Sequence, residues 1–374
     1  VHPRLTALVR SARATGLTLA IVTAVVLVSV VSIDLGPALR SRAEAFGRTW
    51  FDRGVHIGRL GVQIGQGRLV IDDLVIDGMY EGEDPWLVAG RVELTLTWRT
   101  LVDRELRIDA VEVRDWKMVL ESYPNGRQTF PRVTGPPRPP RTGPGLVTTT
   151  LQYIHLGDGE LEFRDYGSQW SIATRHVDIT VTQLADLRGQ LSFSDSTLWV
   201  QNYLPLQTSL DGSFRVADGK VVFDRVEMRT DEGVHALTGV LDAARWPEQT
   251  WQFDSRMPLA RIRHLFFQGY PFEMDGEARF RGQFHYFTGG RELKGTVSAA
   301  DATINSVRLQ RLRGDLLWVP ARLDLTGATA EFHGGRVAFS YAMAPMARTD
   351  VRPRATIEGT YDGVDLHNLT DALD

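Results

Sequence analysis

From Val55 onward the chain repeats one pattern, apolar and polar residues in alternation, and that pattern admits few folds. Leu69 and Ile71, then Leu74 and Ile76; Val92, Leu94, Leu96 and Trp98; Leu106 and Ile108; Val111 and Val113; Leu161 and Phe163; and Val177, Ile179 and Val181 all alternate with polar or charged neighbours. Successive side chains of an extended strand point to opposite faces, so each segment predicts a strand with one buried and one wet face. Turn signals at Gly65-Gln66-Gly67, Asp77-Gly78, Gly157-Asp158-Gly159, Asp218-Gly219 and Gly334-Gly335 separate them. About twenty strands are expected, mostly in consecutive antiparallel pairs. The acidic clusters Asp72-Asp73 and Glu81-Gly82-Glu83-Asp84 read as solvated turns rather than as acid/base pairs or a calcium site.

Three segments break the pattern. Asp34 and Pro37 open a helix over 34–53 in which Leu39, Ala43, Phe46 and Trp50 form an apolar stripe that needs burying, with Gly54 as its stop. Pro258 to Phe267 predicts a short helix with Leu259, Ile262, Leu265 and Phe266 on one side, and Val364 to Leu373 reads the same way. Groups of strands precede both helices, which suggests a loose internal repeat. The stretch 131–145, PRVTGPPRPPRTGPG, is an extended connection between a first strand segment, 54–130, and a second, 146–374.

Ahead of all this lies Ala14 to Ile33, a charge-free apolar run. About 20 apolar residues of helix cross a hydrocarbon core, so the run predicts a transmembrane anchor. Arg4, Arg10 and Arg13 in the flank 1–13 place that end in the cytoplasm and the rest of the chain across the membrane. A cleavable signal peptide is the alternative, with Ala43-Glu44-Ala45 as its processing site. An h-region runs roughly 7 to 15 residues, shorter than this run, which favours the anchor.

Composition removes several function classes. With 42 Lys and Arg against 46 Asp and Glu, the chain is acidic overall, which argues against a nucleic-acid partner. There is no cysteine, hence no disulfide, thiolate metal site or cysteine nucleophile. No nucleophile elbow, phosphate loop or zinc-protease helix occurs, and the nine histidines are scattered. The expectation is therefore a protein that is not an enzyme and carries neither cofactor nor metal. Trp98, Trp116, Trp170, Trp199, Trp246, Trp251 and Trp318 stand in strand-like contexts, equally suited to a ligand groove or to packing.

The order of elements resembles the N-terminal part of the AsmA/TamB-like family of bacterial envelope proteins. The anchor, VHIGRLGVQIGQGRLVIDDLVIDG at Val55 to Gly78, VAGRVELTLTWRTLVDRELRIDAVEVRDWKMVLE at Val88 to Glu121, Tyr123-Pro124-Asn125-Gly126, the proline-rich interruption and IHLGDGELEFRDY at Ile154 to Tyr166 carry the likeness. The resemblance implies a mainly β protein, a long twisted antiparallel sheet curled into a groove. It would be held to the inner membrane by its helix, with the bulk of the chain in the periplasm. It further implies a part in phospholipid transport between the membranes or in outer-membrane assembly, with phospholipids, the inner membrane and an outer-membrane assembly protein as partners. The chain stops inside its repeating pattern and reads as truncated at the C-terminus.

The residues expected in such a groove are Leu69, Ile71, Leu94, Leu96, Ile108, Val111, Phe163, Ile179, Phe193, Phe223, Phe280, Ile304, Leu325 and Phe339, with Leu39, Phe46 and Trp50 plugging its first end. The same alternation also builds a filled β-sandwich. Two other functions stay open: an anchored β-scaffold for protein partners, and a membrane-tethered hydrolase, should the fold bring His, Asp and Ser together. A transmembrane barrel is disfavoured by the charge on the polar face.

Overall fold

The computed structural model describes residues 33–364, apart from 64–65, 81, 97–105, 130–146, 184–186, 202, 232, 246–247, 269 and 347–350. The expected anchor (save Ile33), the proline-rich stretch 131–145 and the helix expected from Val364 (save Val364 itself) lie outside the described residues. Among those described, no helix is long and apolar enough to cross a membrane.

The chain is mainly β. In order come β1 (Ile33–Asp34), α1 (Gly36–Phe51), β2 (Val55–Gln63), β3 (Arg68–Ile76), β4 (Leu87–Leu96), β5 (Leu106–Ser122), β6 (Val147–Asp165), β7 (Trp170–Gln183), β8 (Leu187–Val200) and β9 (Leu206–Ala217). There follow β10 (Lys220–Thr230), β11 (Gly233–Asp242), β12 (Gln249–Pro258), α2 (Leu259–Phe266), β13 (Met274–Phe287), β14 (Gly290–Ile304), β15 (Val307–Val319), β16 (Arg322–Phe332), β17 (Gly335–Ala344) and β18 (Arg354–Asp362). The strands belong to one 18-stranded sheet. In the runs β1 to β4 and β7 to β18 each strand pairs antiparallel with the next. Among the described residues no pairing leads from β18 back to β7, so that run is not closed into a barrel.

Two compact units emerge. Of the described residues, one holds those up to Trp116 together with 147–157, the other 117–129 and those from Asp158 to Val364. In the first, Val55, Ile57, Leu60, Ile76, Ala89 and Val92 are buried. The buried positions change phase between Ile57 and Leu60, and the sequence alternation changes phase between Ile71 and Leu74. Asp73 marks the place, with φ 55° inside β3. Gly58 beneath it has no alternative, because a Cβ there would lie 2.8 Å from the Asp73 Cβ. Asp72-Asp73 is therefore mid-strand, not a turn; Asp tolerates the left-handed conformation that the irregularity needs.

The same correction applies at Gly157-Asp158-Gly159. It is no turn: Asp158, φ 49°, sits within the 19-residue β6. Likewise Leu106–Val113 belongs to one 17-residue strand, with Asp115 at φ 53°. Asp218-Gly219 does form the β9–β10 hairpin, both residues at positive φ, as a type I′ turn demands. The β16–β17 turn is centred one residue earlier than expected, on His333-Gly334, with Gly335 paired to Phe332. At Glu83 the acidic cluster is a turn, its carboxylate accepting from the N–H groups of Met79 and Tyr80 at 3.0 and 3.1 Å.

Helix α1 begins at Gly36, not Asp34. Asp34 stays in β1 and its Oδ1 accepts the Gly36 N–H at 2.8 Å, while the helix stops at Asp52 in the left-handed region. The helix is seated on β2 by polar groups: Arg40 Nη1 donates to the Gly58 carbonyl at 2.6 Å, and the Ile57 N–H donates to Glu44 Oε1 at 3.0 Å. Gly47 lets Val55 approach closely. The stripe lies on another side of the helix, leaving Leu39, Phe46 and Trp50 44%, 58% and 63% exposed. These three side chains are outward-facing, contrary to the inward burial expected of a plug.

Candidate functional site

In the second unit, cross-strand register assembles one apolar face. Directly opposed residues of antiparallel neighbours share a face, so pairings can be followed from strand to strand. One row runs Val181, Gly189, Phe214, Phe223, Gly239, Trp251, Phe284, Leu293, Trp318, Leu323, Met343 and Ala355, from β7 to β18 without a polar side chain. Beside it runs Ile179, Leu191, Gly212, Val226, Leu237, Phe253, Gly282, Gly295, Leu316, Leu325, Tyr341 and Ile357. A third holds the opposed pairs Phe193–Leu210 and Phe280–Val297 on the same side.

Glycines in these rows are spaces for neighbouring rings. A Cβ on Gly239 would lie 2.3 Å from Trp251 Cε3, and one on Gly189 2.3 Å from Phe214 Cζ. Phe223 stands between Phe214 and Trp251, ring centroids 5.8 and 5.1 Å away. Phe223, Val226 and Leu237 are buried, while Leu191, Leu210, Phe214, Met228, Trp251 and Phe253 around them are only partly so. The opposite face is charged: Arg279 and Arg281 donate to Asp254 at 2.6–2.9 Å and hold its carboxyl at about 2, mainly through the Arg279 hydrogen bond.

Helix α2, the short helix read from Pro258 to Phe267, lies on the apolar face. Leu259 packs on Ala278, Ala299 and Ala302, and Phe267 on Leu323, Met343 and Met346. Tyr203, from the β8–β9 connection, meets Phe266 and Trp318 edge-on at 5.3 and 5.8 Å. Across the same end, Trp170 of β7 meets Tyr286 of β13 edge-on at 5.5 Å. The Tyr286 hydroxyl donates to Asp165 Oδ2 at 2.5 Å, and Arg291 Nη1 donates to the Ser168 carbonyl at 2.6 Å. Burial raises the Tyr286 phenol well above its ordinary value, pushes Tyr203 up to about 12 and lowers the Arg291 guanidinium.

Of the residues read from sequence as groove-lining, Ile179, Phe193, Phe223, Phe280 and Leu325 fall on these three rows. Phe339 pairs with Ala328 on β16 and is half-buried. Phe163 is buried against Trp170 at 4.7 Å. Ile304 stands at a strand end and is 36% exposed. Leu69, Ile71, Leu94, Leu96, Ile108 and Val111 belong to the first unit, all half-buried. Sequence reading missed Phe214, Phe253, Phe284, Leu293, Tyr286 and Arg291. The run Trp251-Gln252-Phe253 alternates and was available as a signal; Arg291 has none. Among the tryptophans, Trp251 and Trp318 stand on the apolar face, Trp116 is buried and Trp199 is exposed.

Two polar clusters lie elsewhere. His235 is buried, its Nδ1 2.6 Å from Ser255 Oγ and its Nε2 3.2 Å from Thr230 Oγ1, and burial depresses its pKa. The third partner of this Ser–His pair is a hydroxyl and not a carboxylate. His176 lies 2.9 Å from Asp158 and 3.6 Å from Asp195 on the surface. Among the described residues no group of three side chains is arranged to hold a metal ion.

Neither protein-family models, nor characterised proteins, nor solved structures give a match to this chain.

Proposed function

We propose that the chain is an inner-membrane-anchored periplasmic protein of the AsmA/TamB-like kind, whose sheet curls into a groove that shields phospholipid acyl chains in transit between membranes or during outer-membrane assembly. The observation that carries the reading is the pair of apolar rows crossing the strands from β7 to β18, half-buried over much of their length, on strands that all belong to one sheet. Such a face meets a large need. At about 0.8 kcal/mol per CH₂, a lipid with two sixteen-carbon chains faces a cost of order 20 kcal/mol in crossing water unaided. An apolar strip removes most of that cost while the charged opposite face stays wet.

The anchor expected at 14–33 supplies the attachment, and the outward Leu39, Phe46 and Trp50 of α1, which begins three residues beyond Ile33, fit the interfacial layer beside it. The reading is tested by purifying the full chain with its lipids and replacing single row residues. Phe223→Asp or Phe253→Asp reduces phospholipid recovered by mass spectrometry, while Asp254→Asn on the wet face leaves it unchanged; equal recovery from all three variants contradicts it.

The scaffold reading has one observation in its favour. Every residue of β18 is exposed, and its partner among the described residues is β17 alone. An exposed strand edge accepts an added strand. Capture of a partner peptide that is lost with a proline at Ile357 would favour it.

A further inference from the structure

The apolar face ends on a cation. Along β13 and β14 the pair next to Phe284 and Leu293 is Tyr286 opposite Arg291. Alternate residues of a strand share a face, so both project from the side that carries the rows, and Arg291 lies about 7 Å along its strand from Leu293.

The two residues differ in how they are satisfied. Tyr286 has Asp165, and the Asp165 carboxylate also accepts the N–H groups of Gly167 and Ser168 at 2.9 and 3.0 Å. Arg291 donates once, to the Ser168 carbonyl. Among the described residues it has no carboxylate at ion-pair distance and no acceptor for its remaining N–H groups. Among the described residues the buried hydroxyls of Ser168 and Tyr203 make no hydrogen bond of good geometry, although Tyr286 lies near the first and the Trp318 indole near the second. Tyr203 is near enough to Arg291 for each to act on the other's ionisation. The charge of Asp165 also reaches Arg291, but that carboxylate is already engaged by Tyr286 and two N–H groups; a half-buried guanidinium that only shares an anion keeps N–H donors to satisfy, and its fork matches a phosphate.

We propose that Arg291, with the Ser168 and Tyr203 hydroxyls, receives the phosphate head of an amphiphile whose chain lies along the neighbouring apolar rows. This rests on the lipid-carrying reading and adds to it a fixed polar end, so that a lipid would enter the face in one orientation.

The test is calorimetric titration of the full chain, held in amphipol in phosphate-free buffer, with octyl phosphate below its micelle concentration, octanol and inorganic phosphate, each against amphipol alone. The expected result is octyl phosphate bound at least ~10-fold more tightly than octanol. Arg291→Gln should bring octyl phosphate down to the octanol value and leave octanol unchanged, while Phe253→Asp weakens both. Tyr203→Phe, which removes one oxygen, should weaken octyl phosphate alone by roughly 3-fold or more, and it decides the matter if Arg291→Gln does not fold. An unchanged preference for octyl phosphate in either variant overturns the headgroup site and leaves the lipid reading standing. Inorganic phosphate bound in an Arg291-dependent way, with no alkyl ligand bound, keeps the anion site and overturns the lipid reading. No binding of any of the three overturns both.

Discussion

Trp170 and Tyr286 meet edge to face at 5.5 Å although they sit on β7 and β13, six strands apart. In a flat sheet six strand spacings amount to roughly 29 Å, so the second unit's sheet bends back on itself at this end. Irregularities account for the bending. Register shifts occur between Arg175 and Asp178, Phe193 and Ser196, Phe223 and Val226, Gly276 and Ala278, and Leu325 and Ala328, and each bulge sharpens the local twist. Closure at that end makes Tyr286→Phe informative. It removes the hydroxyl from a buried carboxylate and should cost about 1–3 kcal/mol, read as a lower urea midpoint at unchanged slope.

Gly239 is required by Trp251. Gly239→Val should destabilise by about 1–3 kcal/mol through overpacking. Trp251→Leu in the same chain should recover part of that loss, so a double-mutant cycle reports coupling; strict additivity would mean the ring does not lie over the glycine.

His235 makes the fold sensitive to acid. Its pKa is depressed by burial, so the unfolded chain binds the proton more readily. The stability it contributes is complete above the unfolded value of about 6.5 and falls as pH drops below that toward the lower folded value. Replacing His235 with Asn should flatten the stability profile between pH 7.5 and 5; an unchanged slope would assign it to other groups.

The exposed stripe of α1 carries little folding stability. Serine at Leu39, Phe46 and Trp50 should each change stability by less than about 0.5 kcal/mol, whereas Glu44→Ala, which strands the Ile57 N–H, should cost about 1–3 kcal/mol. On the membrane reading, the Leu39→Ser/Phe46→Ser double variant, which keeps Trp50 as the reporter, loses the blue shift in tryptophan emission that vesicles containing anionic lipid induce in the unaltered chain.

What could be read in the sequence follows from what a period measures. Alternation fixes which side of a strand a residue takes, and so Ile179, Phe193, Phe223, Phe280 and Leu325 were recognisable as sharing one kind of face. It does not fix register, and the rows exist only through register: Gly239 looks like a flaw in β11 until Trp251 is placed opposite it. Asp158 looked like a turn because Gly-Asp-Gly suits a hairpin and a left-handed bulge equally. The α1 stripe was legible as a stripe, but its direction was set by Arg40, Glu44 and Gly47, whose partners lie on β2. Arg291 was silent, since the residue it binds is 123 positions away.

The most direct measurement is photo-crosslinking in cells, with benzoylphenylalanine placed singly at Phe253 and Phe284 on the apolar face and at Gln252 and His285 on the opposite one. The account predicts phospholipid adducts from the first pair and none from the second. Adducts from neither pair, or from both alike, would contradict the claim that this face carries lipid.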